Sequence, residues 1–244
     1  MFQKEKIYIA GPECFYTGGY DMLAAMRAES IAKGFGVTLP NDHPLDMENP
    51  DLRKRADSIF ADLKAIMLDT TVVIADLEAY RGSEPDSGTI YELGMAYAKG
   101  ARCYGYTRDK RPLVWKDQKY TLKEGKVYDE HGKEAPYKDL PFSPCIIAST
   151  KIAEGDYGDC LKMLMTDIEE EKKYKGLRGY SVDYTAAKTY KSDRPVVYLA
   201  GPERYDKDAK EIYKKRKELC ASYGLQAFTP ADWAEGVEKM DTDC

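Results

Sequence analysis

Short strand-like runs, KIYIA at 6–10, Val37 to Leu39, TVVIA at 71–75 and RCYGY at 102–106, the first three rich in β-branched residues, alternate along this chain with segments of helical periodicity. That alternation constrains the fold more than any other feature. A run apolar on both faces suits a strand covered on both sides, as in a parallel sheet, and strand, helix, strand order requires crossovers that lay helices on the sheet. The helical segments are Asp21 to Lys33, with Leu23, Met26 and Ile31 and a stop at Gly34; Ala56 to Leu68, with Ile59, Phe60, Leu63, Ile66 and Met67 on one face; and Thr89 to Lys99, ending at Gly100. Asp156 to Tyr174 carries Tyr157, Leu161, Leu164, Met165 and Ile168 at helical spacing, and Ile146 with Ile147 reads as a last short strand. The expected architecture is an α/β doubly wound parallel sheet.

The chain also repeats itself. VVYLAGPERY at 196–205 echoes KIYIAGPECF at 6–15, pairing Tyr8 with Tyr198 and Gly11-Pro12-Glu13 with Gly201-Pro202-Glu203. The expected organisation is a first domain over 1–175 with a polar flap inserted at 108–140, a linker at 176–193, and a partial C-terminal repeat of the opening βαβ unit over 194–244. No counterpart of TVVIADL follows in that repeat, so it cannot build the same site alone. Either the chain is a shortened tandem protein, or the half-repeat packs on the first domain or a neighbouring subunit. Tyr198, Glu203 and Asp232 read as structural echoes. The flap reads either as a lid or as a solvated hairpin.

Composition narrows the chemistry. Of 244 residues, 37 are Lys or Arg and 42 are Asp or Glu, a net charge of −5, which lacks the basic excess of a protein that grips a nucleic acid polymer. No apolar run reaches the length of a membrane span, and MFQKEKIYIAG enters a strand without a signal-peptide core, so the expectation is a cytoplasmic protein with no membrane partner. Six cysteines stand singly without CxxC spacing, and there are two histidines, His43 and His131; neither a metal site nor a metal-dependent mechanism is expected. Carboxylates and tyrosines are left to carry the chemistry.

In a doubly wound sheet, ligands bind past the carboxyl ends of the strands. Residues at those places are Gly11 and Pro12 after the first strand, with Tyr8 inside it; Asp76 after TVVIA; and Asp86-Ser87-Gly88 opening a helix that carries Glu92 about one turn in. Neither GxxxxGK[ST] nor GxGxxG follows any strand. Singly, each residue has a plain structural account: Asp86 as a helix cap, Asp76 as a strand end, Tyr8 as a core tyrosine, Glu92 as a solvated helix residue. Together, three acids at one sheet edge repel one another and suggest a use.

KIYIAGP at 6–12, VVIADL at 72–77 and DSGTIYELGMA at 86–96, with GYTRD at 105–109 and DLPFSPCIIAS at 139–149, resemble the nucleoside 2-deoxyribosyltransferase family. The resemblance implies a flavodoxin-like fold, a role in nucleotide salvage, no cofactor, and base exchange on a 2′-deoxyribonucleoside with a free nucleobase as second substrate. Carried over by position, it makes Glu92 the nucleophile at the anomeric carbon, Asp76 the acid that protonates the leaving base, Asp86 the ligand of the sugar 5′-hydroxyl and Tyr8 the residue that holds Glu92. Gly11, Pro12, Phe15, Gly88 and Ser143 would border the substrate, and a homo-oligomer would complete each pocket. Two carboxyls in a partly dry cleft are expected to separate, one raised and one held low by hydrogen bonds.

One position departs from the family pattern. Ser143 stands in DLPFS where members often carry an asparagine, and serine there is similar to the related 2′-deoxynucleoside 5′-monophosphate N-hydrolases. Asp86 would repel a phosphate dianion, which favours a nucleoside. Hydrolysis of the glycosyl-enzyme, or a nucleoside-binding module without turnover, are the alternatives.

Overall fold

The computed structural model describes residues 4–40, 42, 43, 45–116, 119–135, 137–170 and 194–232. These fall into two compact units, one drawn from 1–118 and 137–182, the other from 119–136 and 183–244. Expectations for the linker at 176–193 lie outside the described residues.

In the first unit, β1 (Lys6–Ala10), β2 (Gly36–Thr38), β3 (Val72–Asp76), β4 (Arg102–Thr107) and a later strand, Lys151–Glu154, form one sheet in which every pairing is parallel. The helices between them are α1 (Gly19–Ala32), α2 (Leu52–Asp69), α3 (Ser87–Ala98), α4 (Pro144–Ser149) and α5 (Tyr157–Glu169). The hairpin strands β5 (Thr121–Lys123) and β6 (Lys126–Tyr128) belong to the second unit, so the last strand of the sheet is β7 and its order is β2-β1-β3-β4-β7. This is the flavodoxin-like, doubly wound order, and its direction reverses between β1 and β3.

The period of two along each strand divides the core. Ile7 and Ile9 of β1 and Val72 and Ile74 of β3 face α1 and α5, where Leu23, Tyr157, Leu161 and Leu164 cover them. Tyr8, Ala10, Val73 and Ala75 face α2 and α3, where Leu63, Ile66, Met67, Leu93 and Ala96 lie. Gly105 of β4 sits so close to Leu77 that a Cβ there would meet a Leu77 methyl at 2.5 Å.

The helices start where the sequence gives them caps. Asp51 accepts from the amides of Arg53 and Lys54 at the head of α2, and Asp156 forms a reciprocal capping box with Asp159 at the head of α5. One expectation fails: Ile146 and Ile147 lie in α4, and the strand is Lys151–Glu154. Pro144 occupies the first turn of α4, where its fixed φ and missing N–H are compatible with a helix start. The β-branched pair carried less weight than that proline.

In the second unit, β5 and β6 pair antiparallel around Glu124 and Gly125, both at positive φ, the geometry of a tight hairpin turn. The unit also contains β8 (Val196–Tyr198), α6 (Ala209–Ser222) and β9 (Gln226–Phe228), with β8 and β9 parallel and Val196 opposite Gln226. In the first unit Lys6 stands opposite Gly36 in the same way. Among the described residues no helix is long and apolar enough to cross a membrane.

Ile74 is wholly buried between β1 and β4. Replacing it with alanine removes packed methyl groups and leaves a cavity, so Ile74→Ala is expected to cost about 2–5 kcal/mol of unfolding free energy, measured by urea denaturation of the full chain.

Candidate active site

Tyr8 is 1% exposed on β1, with its ring on the α2/α3 side of the sheet. Its hydroxyl donates to Glu92 Oε1 at 2.8 Å, joining β1 to α3. The carboxylate stands one turn inside α3 because Asp86 fixes where that helix begins: Asp86 Oδ2 accepts from the Thr89 amide at 3.0 Å and from the Thr89 hydroxyl at 3.3 Å. Gly88 leaves room for this cap, since a Cβ there would lie 2.9 Å from the same oxygen.

Asp76 ends β3, buried, and its Oδ1 accepts from the amide of Glu78 at 2.8 Å. Its pKa is pushed up to about 7, chiefly by burial, with the charges of Glu13 and Glu78 adding and Arg108 opposing. Glu92 is likewise pushed up to about 7 by burial, with the Tyr8 hydrogen bond opposing and the charges of Asp86 and Glu13 adding. The expected split, one carboxyl raised and one held low, is therefore not observed: one phenolic hydrogen bond does not offset the loss of water around Glu92. Burial and the neighbouring Glu92 also raise the Tyr8 hydroxyl far above its ordinary value, so it remains a donor.

The other expected residues divide into two groups. Gly11 and Pro12 follow β1 directly, and Phe15, 65% exposed, stacks on Tyr80 with ring centroids 6.2 Å apart. Tyr16 meets Tyr80 at 6.0 Å, and its hydroxyl is raised by partial burial and by the charges of Asp76, Glu13 and Asp86. An aromatic group thus stands beside the acids. Ser143 does not join this cluster through any described hydrogen bond; it precedes α4, its carbonyl accepting from Ile146 and Ile147.

Three residues were missed. Asp62 of α2 is hydrogen-bonded by His43 Nδ1, its side chain is 9% exposed, and its charge raises Tyr8. Its position was a signal: an acid next to Leu63 and four residues before Ile66, on the buried stripe of α2. Glu13, wholly buried, accepts from the Tyr106 hydroxyl at 2.9 Å. In the sequence Tyr106 reads as a strand residue, with nothing to mark its hydroxyl.

This set of carboxyls and phenols can stabilise a developing cation, form a bond to it, and move a proton, without further groups. The family model for nucleoside 2-deoxyribosyltransferase matches residues 7–156, which contain every one of these side chains. The chain belongs to the nucleoside 2-deoxyribosyltransferase family. Among solved structures it is similar to the 2-desoxiribosyltransferase from Leishmania mexicana, 24% identical over 68% of this chain and 97% of that one, with a TM-score of 0.49. It is also similar to a 2-deoxyribosyltransferase from Bacillus psychrosaccharolyticus, 24% identical over 41% of this chain and 71% of that one, TM-score 0.31, and to a conserved protein from Enterococcus faecalis V583, 20% identical over 68% and 98%, TM-score 0.41. An uncharacterized protein from Schizosaccharomyces pombe is 44% identical over 46 residues, which are 19% of this chain and 22% of that protein. The chain thus matches about a fifth of the length of that curated relative.

The two raised carboxyls make this deoxyribosyltransferase-family fold sensitive to pH. The unfolded chain releases the Asp76 and Glu92 protons near 3.8 and 4.5, the folded chain near 7, so the native state holds more protons in between and stability falls as pH rises through that window. Unfolding free energy measured from pH 4 to 8 is expected to decline and then level above about 7, and Asp76→Asn or Glu92→Gln to flatten part of the decline.

Proposed function

We propose that this protein exchanges the base of 2′-deoxyribonucleosides through a covalent deoxyribosyl-Glu92 intermediate. Glu92, ionised, attacks the anomeric carbon as the bond to the base nitrogen breaks and its electron pair leaves with the base; Asp76 gives that nitrogen a proton. In the second half-reaction a free nucleobase attacks the same carbon, Glu92 leaves as a carboxylate, and Asp76 takes the incoming base's proton back. Two displacements give net retention. Asp86 binds the sugar 5′-hydroxyl through the oxygen its cap leaves free, Phe15 borders the base, and Gly11, Pro12, Gly88 and Ser143 line the pocket of a homo-oligomeric, cytoplasmic enzyme. The observation that carries the reading is the 2.8 Å bond from Tyr8 to Glu92 at the switch point of the sheet.

Asp62 supports a second assignment of the acid. Its carboxyl borders Tyr8 from α2 and is bonded by His43, so a proton can reach it through that imidazole. Comparing Asp76→Asn with Asp62→Asn separates the two: loss of the general acid is expected to lower exchange by roughly 10²–10⁴-fold, and the other variant to keep most of it.

The test incubates the protein with a deoxynucleoside, with and without a second free base, and follows intact mass. A new nucleoside formed only with the second base, and an added deoxyribosyl mass mapping to Glu92 and missing from Glu92→Ala, are the expected results. Release of free deoxyribose at equal rate in both arms would instead indicate hydrolysis, and turnover by Glu92→Ala would remove the nucleophile assignment. Tyr8→Phe is expected to move the acidic limb of the pH–rate profile upward, because the bond it deletes is the one that opposes protonation of Glu92.

A further inference from the structure

Glu13 has no part in the reaction described above, yet its surroundings are built around it. It follows β1 by three residues, its carboxyl folds back beneath Gly11, and a Cβ at Gly11 would lie 2.0 Å from Oε2. A Cβ at Gly19 would lie 1.6 Å from the Glu13 carbonyl oxygen, so the loop closes on this residue from both sides. Oε1 accepts from Tyr106, whose backbone stands opposite Asp76 in the sheet register, while Oε2 is buried with no hydrogen-bond partner. Among the described residues no cation pairs with it.

The second unit holds a comparison. Glu203 stands five residues past Tyr198 as Glu13 stands five past Tyr8, its carboxyl folds beneath Gly201 with a Cβ-to-Oε2 clearance of 1.9 Å, and its Oε2 is likewise buried. There Arg216 pairs with Oε1 at 2.6 Å. Arg216 is the eighth residue of α6, and the eighth residue of α1 is Met26. The same loop therefore holds a carboxyl paired with a cation in one unit and one without a cation in the other, where burial pushes the Glu13 pKa up while a backbone hydrogen bond and the Tyr106 hydroxyl oppose that rise, and the shape of the loop alone does not explain the missing arginine.

We propose that Glu13 is a positioning residue of the proposed transfer site: a buried carboxylate without a counter-cation, held through Tyr106 beside Asp76, whose field favours the proton-carrying form of that acid. Its charge acts on both, and it is the acid common to their surroundings. The titratable and charged groups around the three are Tyr106 of β4, Cys14 and Tyr16 beyond β1, Glu78 and Arg108 beside Asp76, Tyr8 and Asp86 beside Glu92, and Tyr157 and Cys160 of α5 behind Tyr106. Arg108 pairs with Glu78 at 3.7 Å, so of the two carboxylates that act on Asp76, Glu13 is the one without a cation beside it among the described residues and the one of larger effect, whereas Asp86 acts more strongly than Glu13 on Glu92. In a dry cleft such a charge is felt more strongly than in water, and the acids titrate as a coupled set.

The inference rests on the exchange reading for its use, but its test does not require turnover. Carbon-13 NMR of labelled Asp and Glu carboxyls in the ligand-free full chain reads the midpoints of Asp76 and Glu92. Glu13→Gln, which keeps the shape and the Tyr106 bond, is expected to lower both midpoints. Met26→Arg, which leaves Glu13 in place but offers the cation that Arg216 supplies in the second unit, is expected to lower them also. Glu203→Gln is expected to leave them unmoved. Unchanged midpoints in folded Glu13→Gln and Met26→Arg would overturn the proposal and leave Glu13 as a loop-shaping residue; if Glu13→Gln fails to fold, Met26→Arg decides alone. If exchange is observed, the alkaline limb of the pH–rate profile moves down in the same two variants; absence of exchange defeats the functional reading without altering the midpoints.

Discussion

A phenol buried on the inner strand β1 and a carboxylate on a covering helix share one hydrogen bond, Tyr8 to Glu92, and the rest of the site is arranged around it. The bond requires β1 to present Tyr8 to the α2/α3 face, which in turn requires Ile7 and Ile9 to take the opposite face. A slip of one residue would send the phenol to α5 and an isoleucine to Glu92. The parallel neighbours β2 and β3 on either side of β1 prevent that slip, so the same pairings that make the core also aim the carboxylate.

Burial does most of the electrostatic work at this edge. Asp76 and Glu92 are both displaced toward neutrality by loss of water, and hydrogen bonds from the Glu78 amide and the Tyr8 hydroxyl only moderate it. Two acids of similar affinity for a proton, each near the working pH, suit a reaction in which one must be charged and the other must give up and regain a proton. In the proposed exchange Glu92 takes the first of these roles and Asp76 the second.

The fold could be read from the sequence because its signals are local. KIYIA and TVVIA are apolar on successive residues, as doubly covered strands must be, and Gly34 and Gly100 end helices where the backbone turns to positive φ. The sequence failed at Ile146 and Ile147, where β-branched residues sit in a helix whose start is set by Pro144. Tyr8, Asp76, Asp86 and Glu92 stood out because polar groups at strand ends and helix starts interrupt apolar pattern. Asp62 showed only as an acid on the buried stripe of α2 and Glu13 not at all, since the closeness of each to Tyr8 or Tyr106 depends on residues more than fifty positions away in the chain, and local spacing does not say which residue such a side chain meets.

Gly105 touches none of the acids, yet it governs how dry one of them remains. Its bare α-carbon lets a Leu77 methyl settle against β4, and Leu77 directly follows Asp76, with its amide bonded to the Tyr106 carbonyl at 2.9 Å. Any side chain at that point would lever the leucine outward and open a path for solvent beside the carboxyl. The chemistry available at this rim is thus limited, one strand away, by an atom the protein does without.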